Sequence, residues 1–334
     1  MRFACFGSYA LSASLATAML AACGGSQPPI GTPGAVLQPS AIATHADRGT
    51  SWMLPEAKSE DLIYLSGYVD GETVYVYAYH SGKLVGMLGG FYTAQGLCVD
   101  KAGDVFVTDF HDQDILEYAH GATKIKADLG DEGYTPNGCA VDPLTGNLAV
   151  ANYCGKSGSD CIGSNSGNIA IYSRARGKPK SYQSPDVAQY GFCGYDGRGN
   201  LYTGGDGPPG DSGYHFLELA YRKTSFRTIT LDENKFGDYS DIQWDGSHIV
   251  VSDNNDSILY QFTIKGSHGI TFGSTPLGNA LFYQFWIERN KVLATTTRNY
   301  HKERVKFYNY PSGDFARGFE GYRAYGITVS LAQK

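Results

Sequence analysis

The sequence predicts an all-β fold, a six-bladed β-propeller built from four-stranded antiparallel blades. Three observations support it. The 334 residues include 43 Gly, 25 Tyr and 16 Phe, a balance that favours pleated strands and tight turns over helices. A unit of strand, turn and strand recurs along the chain, and the C-terminal segment matches the strand that the first unit lacks.

The recurring unit is a hairpin whose turn carries Asp, Gly or Asn, the residues that such turns need. Its turn aspartates Asp100, Asp142, Asp196 and Asp245 are 42, 54 and 49 residues apart, which suits propeller blades of about 40 to 50 residues with loop insertions. The hairpins read "GLCVDKAGDVFVTD" from Gly96, "GCAVDPLTGNLAVAN" from Gly138, "FCGYDGRGNLYTGG" from Phe192, "DIQWDGSHIVVSD" from Asp241 and "FWIERNKVLATT" from Phe285.

A third apolar strand follows each hairpin, for example "VYVYAY" from Val74 and "ILEYAH" from Ile115, and a more polar fourth strand completes the unit. The first unit begins at "DLIYLSG" from Asp61, which matches a second strand. The chain ends with "YGITVSL" from Tyr325, which matches a first strand. We therefore expect the C-terminal strand to close the first blade and remove an exposed sheet edge. One domain, residues 61–334, is the expected result.

The strand periods, together with "PNGCAVD" and "GNLAVAN", resemble NHL-repeat and SMP-30/gluconolactonase-like six-bladed propellers over essentially the whole of residues 61–334. The resemblance implies a ring of blades around an axis. It also implies, for gluconolactonase-like members, a divalent cation held by Glu, Asn, Asn and Asp ligands. The Asn137-Gly138 pair stands where such members have one of their asparagines.

The N-terminal segment resembles a bacterial lipoprotein signal peptide. Arg2 gives a basic start, residues 3–20 are apolar or small, and "LAAC" ends at Cys23. The resemblance implies that residues 1–22 are removed and that Cys23 carries lipid. The apolar run is shorter than the roughly 20 residues that a membrane-spanning helix needs. Residues 23–60, rich in Gly, Pro and Ser at their start, are expected to form a tether. The same resemblance implies, from Gly24 after the cysteine, sorting to the outer membrane where the host has two membranes.

Export would favour disulfide formation. Cys154 and Cys161 flank a polar loop and are predicted to pair, because no second pair of ligands accompanies them as a zinc site would need. Cys98, Cys139 and Cys193 lie in apolar strand segments and are expected to act as small hydrophobic side chains.

The candidate ligand site is the face that we call the upper face, formed by loops before first strands and after second strands. The candidate residues there are Gln95, Asp109, Asn137, Asn152, Tyr190, Asp206, Asp238, Asp253 and Tyr325. The net charge of −6 and the lack of a Lys/Arg cluster exclude a nucleic-acid surface.

Two functions remain open. The first is a lipid-anchored envelope module that binds a glycan, peptide or protein through this face, with no catalytic residue assigned. The alternative is a lactonase- or esterase-like hydrolase, in which Asn137, Asn152 and Asp253 would hold Ca²⁺ or another divalent cation. For the same residues, capping of their own turns is the simpler structural role.

Overall fold

The computed structural model describes residues 50–67, 71–131, 133–155, 166–211, 213–233, 235–237, 239–278, 282–295 and 303–333. Contacts divide the chain into residues 1–39 and residues 40–334, and all described residues belong to the second unit. The predicted signal peptide and Cys23 lie outside the described residues. In the described part of the chain, no helix is long and apolar enough to cross a membrane.

The described strands form antiparallel sheets that follow one another along the chain, and we name these sheets A to F. Sheet A contains β1 (Trp52–Met53), β2 (Leu62–Gly67), β3 (Thr73–Ala78), β4 (Leu84–Gly89) and the C-terminal β25 (Ala324–Ser330). Sheet B contains β5 (Ala94–Val99), β6 (Val105–Asp109), β7 (Asp114–Tyr118) and β8 (Ile125–Gly130). Sheet C contains β9 (Pro136–Val141), β10 (Leu148–Cys154), β11 (Ser166–Tyr172) and β12 (Lys180–Tyr182).

The second half of the chain repeats this arrangement. Sheet D contains β13 (Gln189–Tyr195), β14 (Leu201–Asp206), β15 (Tyr214–Leu219) and β16 (Arg227–Leu231). Sheet E contains β17 (Ile242–Trp244), β18 (Ile249–Asp253), β19 (Ile258–Lys265) and β20 (His268–Pro276). Sheet F contains β21 (Phe285–Glu288), β22 (Lys291–Thr295), β23 (Glu303–Asn309) and β24 (Phe315–Glu320). A short parallel bridge between β16 and β20 joins sheets D and E.

The all-β class predicted from the sequence is confirmed, since helical segments of the described residues are short 3₁₀ turns such as Pro55–Lys58. β25 pairs antiparallel with β2, with Leu62 opposite Ser330 and Leu65 opposite Ile327. Sheet A therefore combines strands from both ends of the described chain.

The folded region starts earlier than residue 61, within the predicted tether. Trp52 and Met53 of β1 pair with Met87 and Gly86 of β4, and Ala57 is fully buried. This fifth strand covers the outer edge of sheet A, which would otherwise expose unpaired backbone groups. The sequence pattern missed it because two residues are too few to show a period of two.

The hydrophobic core lies between neighbouring sheets. Tyr64 of sheet A packs with Leu97 of sheet B, and Val150 of sheet C packs with Ile115 of sheet B. Further clusters join C to D, D to E and E to F. A last cluster joins sheet F to sheet A, where Leu293 packs with Ile327. Each sheet thus buries both of its faces.

The first strands of the sheets are β25, β5, β9, β13, β17 and β21. From β25 through β5, β9 and β13 to β17, each first strand approaches the next closely enough to require glycine. A Cβ atom at Gly96 of β5 would lie 2.8 Å from the Cα atom of Gly138 in β9, and still closer to the carbonyl oxygen of Asn137. Gly138, Gly194 and Gly326 face the backbone of the next first strand in the same way. These backbones meet without side chains between them.

The substitution Gly96→Ala is expected to lower the free energy of unfolding by about 1–3 kcal/mol, because the added methyl group overfills a backbone contact. Gly130→Ala is the matched control, because a Cβ atom at Gly130 has no neighbour within 4 Å. Chemical denaturation of both variants measures the difference. Equal stability of the two variants would contradict the close approach.

The expected role of Cys98 and Cys139 as free hydrophobic side chains was wrong. They form a disulfide between β5 and β9, with Cα atoms 5.7 Å apart. The sequence separation of 41 residues hides the fact that these two strands are neighbours. Cys193 is free and buried, as expected. Cys154 is disulfide-bonded, but its predicted partner Cys161 lies outside the described residues, so that pairing stays a prediction.

Candidate functional site

Aromatic side chains form a continuous layer on the upper face, which we call the upper aromatic surface. Its members are Tyr92, Phe110, His111, Tyr153, Tyr239 and Tyr283. Successive ring centroids are 5.0 Å (Tyr92 to His111), 5.2 Å (His111 to Phe110), 6.3 Å (Phe110 to Tyr153), 5.9 Å (Tyr153 to Tyr239) and 5.2 Å (Tyr239 to Tyr283) apart. Tyr153 belongs to β10 of sheet C, and the other members lie in loops next to sheets B, E and F.

Asp109 supports one end of this surface. Its carboxylate accepts hydrogen bonds from the backbone N–H groups of Tyr92 and Thr93, each at 2.7 Å. Burial raises the pKa of Asp109, although these two donors act against the rise. The side chain is fully buried. Asp109 therefore holds a loop in place.

The side chains of Asn137 and Tyr325 are hydrogen-bonded to each other at the axis, beneath the upper aromatic surface. The Tyr325 hydroxyl donates to Oδ1 of Asn137 at 2.9 Å, and Nδ2 of Asn137 donates to the carbonyl oxygen of Gly191 at 2.7 Å. The Tyr325 ring stacks on Tyr283, with centroids 4.7 Å apart. The amide that the resemblance assigned to a cation is thus used to join β9, β13 and β25.

The other acidic and amide candidates are tied to nearby structure. Oδ1 of Asp253 accepts from the N–H groups of Asn255 and Asp256 and so caps its own turn, while its Oδ2 is buried without a hydrogen bond. Asn152 is fully buried and donates to Oδ1 of Asn168 at 2.8 Å. Asp206 is partly exposed and pairs in register with Gln189.

Three candidates remain. Tyr190 is fully buried and its hydroxyl accepts from the N–H of Ser184 at 2.7 Å, so it belongs to the core between sheets C and D and offers no surface to a ligand. Oε1 of Gln95 is buried without a hydrogen bond. Asp238 lies outside the described residues. In the described part of the chain, no three His, Cys, Asp or Glu side chains are arranged to hold a metal ion.

Sequence reasoning missed two polar residues at the axis, Gln284 and Asp241. Gln284 donates to the carbonyl oxygen of Leu97 and accepts from the N–H groups of Leu97 and Ile327, so it joins three first strands. Asp241 accepts from the N–H groups of Ile242 and Phe285. Each stands directly before a first strand, and that position was the available signal.

Below this polar layer the axis contains an open space, which we call the lower axial cavity. Its volume is about 240 Å³. It is lined by Leu97, Cys98, Val99, Cys139, Ala140, Val141, Pro143, Cys193, Gly194, Tyr195, Asp241, Ile242, Gln243, Trp244, Gln284, Trp286 and Ile287. Most of these residues belong to the second halves of the first strands, and Pro143 belongs to a hairpin turn, so the cavity faces away from the upper aromatic surface.

Solved structures share this fold at low sequence identity. A chain in the crystal structure of a nidogen/laminin complex superposes with a TM-score of 0.62 at 14% identity, over 82% of this chain and 99% of that chain. A protein of unknown function from Bacteroides caccae superposes with a TM-score of 0.59 at 9% identity, over 81% and 99%. No protein-family model matches the sequence, and no curated protein is significantly similar to it. The likenesses show a β-propeller fold.

Asp131 is expected to make stability depend on pH. Burial raises its pKa from 3.8 to about 6, against hydrogen bonds from Asn152 and Tyr172. The folded state therefore holds the proton more tightly. The resulting stabilisation is complete below about pH 4 and is lost as the pH rises through 6. The free energy of unfolding of the wild type, relative to Asp131→Asn, should fall by up to about 3 kcal/mol between pH 4 and pH 8.

Denaturant titrations at each pH measure this difference. Asp256→Asn, which removes an exposed carboxylate, corrects for the loss of one charge. Parallel pH profiles of the wild type and Asp131→Asn would contradict the raised pKa.

Proposed function

We propose that this protein is a lipid-anchored component of the bacterial cell envelope whose closed, six-bladed propeller binds a partner protein through the upper aromatic surface. The single observation that carries the proposal is the continuity of that surface across residues of four sheets. Tyr and Phe are enriched at the centres of protein interfaces, where they combine a large apolar area with few rotatable bonds.

The upper aromatic surface is accessible as well as continuous. Tyr92 is 57% exposed, His111 is exposed, and Phe110, Tyr153 and Tyr239 are partly exposed. The buried carboxylate of Asp109 holds the loop of Tyr92 in place. A surface that is already ordered loses less entropy on binding. The similar chain in the nidogen/laminin complex is also part of a protein assembly.

The proposed ring of six blades is supported by the order of the cores. The apolar clusters run from sheet A to sheet F and then join F to A. The pairing of β2 with β25 brings the two ends of the described chain into sheet A. Such a ring would leave the partner a rigid platform.

The proposed anchor rests on the sequence. "LAAC" ends at Cys23, and 28 residues separate Cys23 from Trp52, where the described strands begin. Fully extended, these 28 residues span at most about 100 Å. The propeller would therefore act close to one membrane, the outer membrane where two are present.

The hydrolase alternative receives less support. It needs carboxylate and amide oxygens that converge on one cation. The oxygens of Asp109 and Asn137 accept hydrogen bonds from other groups of the protein, and Asp253 caps its own turn. The geometry thus favours a binding module.

The anchor predicts that Cys23→Ser abolishes both radiolabelled fatty acid incorporation and recovery of the protein in the membrane fraction of a bacterial host. Ser cannot form the thioether to the lipid. Cys5→Ser, within the segment to be removed, is the matched control and should keep both properties. If Cys23→Ser incorporates no labelled fatty acid but is still recovered in the membrane fraction at the wild-type level, the lipid anchor is refuted.

The binding surface predicts site-specific photocrosslinking in the envelope of the host. Benzoylphenylalanine in place of Tyr153 should give a discrete protein adduct. The same group in place of Tyr221, which is 40% exposed at the end of β15 on the opposite face, should give at least tenfold less. The adduct should also fall at least tenfold when Tyr239→Ser is added.

Adduct formation should persist in the presence of a chelator, because the surface is aromatic. Loss of the adduct in the presence of a chelator would instead favour the alternative in which this face holds a divalent cation. Equal adducts from the Tyr153 and Tyr221 positions, or none from either, would refute the assignment of the upper aromatic surface.

A further inference from the structure

We propose that the lower axial cavity binds a small organic cation, an ammonium group carried on an apolar body. This inference goes beyond the proposed function, because the cavity lies below the polar layer that separates it from the upper aromatic surface. It rests on one buried acid, the absence of basic groups among the described residues of the lining, and aromatic walls.

The acid is Asp241, which is 2% exposed. One oxygen accepts from the N–H of Ile242 at 2.8 Å and the other from the N–H of Phe285 at 3.1 Å. Gln243 also lies within hydrogen-bonding reach. A carboxylate offers about four acceptor positions, so these donors orient Asp241 and leave capacity for a further donor.

The charge of the lining selects the sign of the ligand. Among the described residues that line the cavity there is one carboxylate, at Asp241, and no Lys, Arg or His. Where Asp241 is ionised, an anion would meet a like charge in a desolvated space, whereas a cation would find its counter-charge there.

The walls select the kind of cation. Trp244, Trp286 and Tyr195 contribute aromatic surface, and Val99 and Val141 contribute apolar surface. Aromatic faces attract ammonium groups, most strongly where water is excluded. A bare metal ion would gain little from such walls, because hard cations need several oxygen ligands. An organic ammonium group fits both parts of the lining.

The size of the cavity limits the ligand. About 240 Å³ corresponds to about eight water molecules at roughly 30 Å³ each. This suits an amine with one ring or a short alkyl chain. Gln284, bonded to Leu97 and Ile327, closes the inner end, so the ligand enters from the face that carries the hairpin turns.

The protonation state of Asp241 should make ligand binding depend on pH. Burial raises the pKa of Asp241 to about 8. The other titratable groups of the lining are the Cys193 thiol and the Tyr195 hydroxyl, and burial raises the pKa of each above its ordinary value. A cation requires ionised Asp241, so a ligand of fixed charge should bind more tightly as the pH rises from 6 to 9.

Fluorescence titration of the full chain tests the proposal, because two of its three tryptophans line the cavity. The probes are phenethylamine, its neutral analogue 2-phenylethanol and the anion 3-phenylpropanoate. Phenethylamine should give a saturable change, with an affinity at least tenfold above that of the alcohol, and the anion should give none. Equal affinity for amine and alcohol, or binding of the anion, would overturn the assignment.

Benzyltrimethylammonium provides the pH readout, because its charge does not change. Its affinity should rise at least fivefold from pH 6 to pH 9, and a flat profile counts against Asp241 as the counter-charge. A lysine side chain of a partner would present the same ammonium group. Binding of Nα-acetyl-lysine amide, which keeps the side-chain ammonium group, without binding of phenethylamine would therefore identify a lysine of a partner, and not a free amine, as the ligand.

Two variants separate binding from folding. Asp241→Asn should abolish amine binding, but its NH₂ group would face a backbone N–H and could prevent folding. Val141→Phe enlarges an apolar residue of the lining, keeps the Asp241 carboxylate, and should also abolish binding while the circular dichroism spectrum stays native. Asp256→Asn, an exposed acid of the same sheet, should bind as the wild type. A folded Val141→Phe variant that binds phenethylamine normally would falsify the cavity as the site.

Discussion

The structure depends on the close approach of the first strands around the axis. Gly96 and Gly326 allow one backbone to touch the next, and side-chain hydroxyls from the second strands join them. Thr108 accepts from the N–H of Gly96 and donates to the carbonyl oxygen of Asn137, and Ser66 links Gln95 to Gly326. Where the first strands meet, their backbone N–H and C=O groups cannot all find hydrogen-bond partners within one sheet. A buried N–H or C=O group without a hydrogen bond lowers the stability of the fold. Thr203, Ser252 and Thr295 bond first strands from the equivalent position. Residues of this type explain how the sheets remain in register although each is stabilised mainly by its own hairpins.

This packing divides the axis into a filled half and an open half. The upper half contains Tyr325 and Asn137, bonded to each other across the axis, and aromatic rings stack above them. The lower half, where the first strands lead into hairpin turns, contains the lower axial cavity. A ligand on the upper face therefore encounters a nearly closed aromatic layer, whereas a small molecule finds its space from below. The two surfaces do not compete for the same residues.

The sequence was sufficient for the strand order, because alternation and turn residues are local signals that repeat. It predicted the candidate residues in loops, whereas the described candidates lie within strands or at their ends, as Asp109 ends β6 and Asn137 is the second residue of β9. It could not show what those side chains bind. Asp109 and Asp253 look like ligands in the sequence, yet their partners are backbone N–H groups nearby. The Cys98–Cys139 disulfide and the three-strand junction at Gln284 escaped for a different reason, since they join residues that are distant in sequence and adjacent only after the sheets assemble.

Asp241 and Gln284 occupy equivalent positions at the axis, but only Asp241 is an acid. Both stand directly before a first strand and both accept hydrogen bonds from backbone N–H groups. Gln284 does so with a neutral amide that also donates to Leu97. Asp241 accepts from two N–H groups with a carboxyl whose pKa burial raises to about 8, so keeping it ionised near neutral pH costs stability. The Asp241 carboxylate lines the lower axial cavity. A cation bound there would recover the electrostatic free energy that burial of the carboxylate loses.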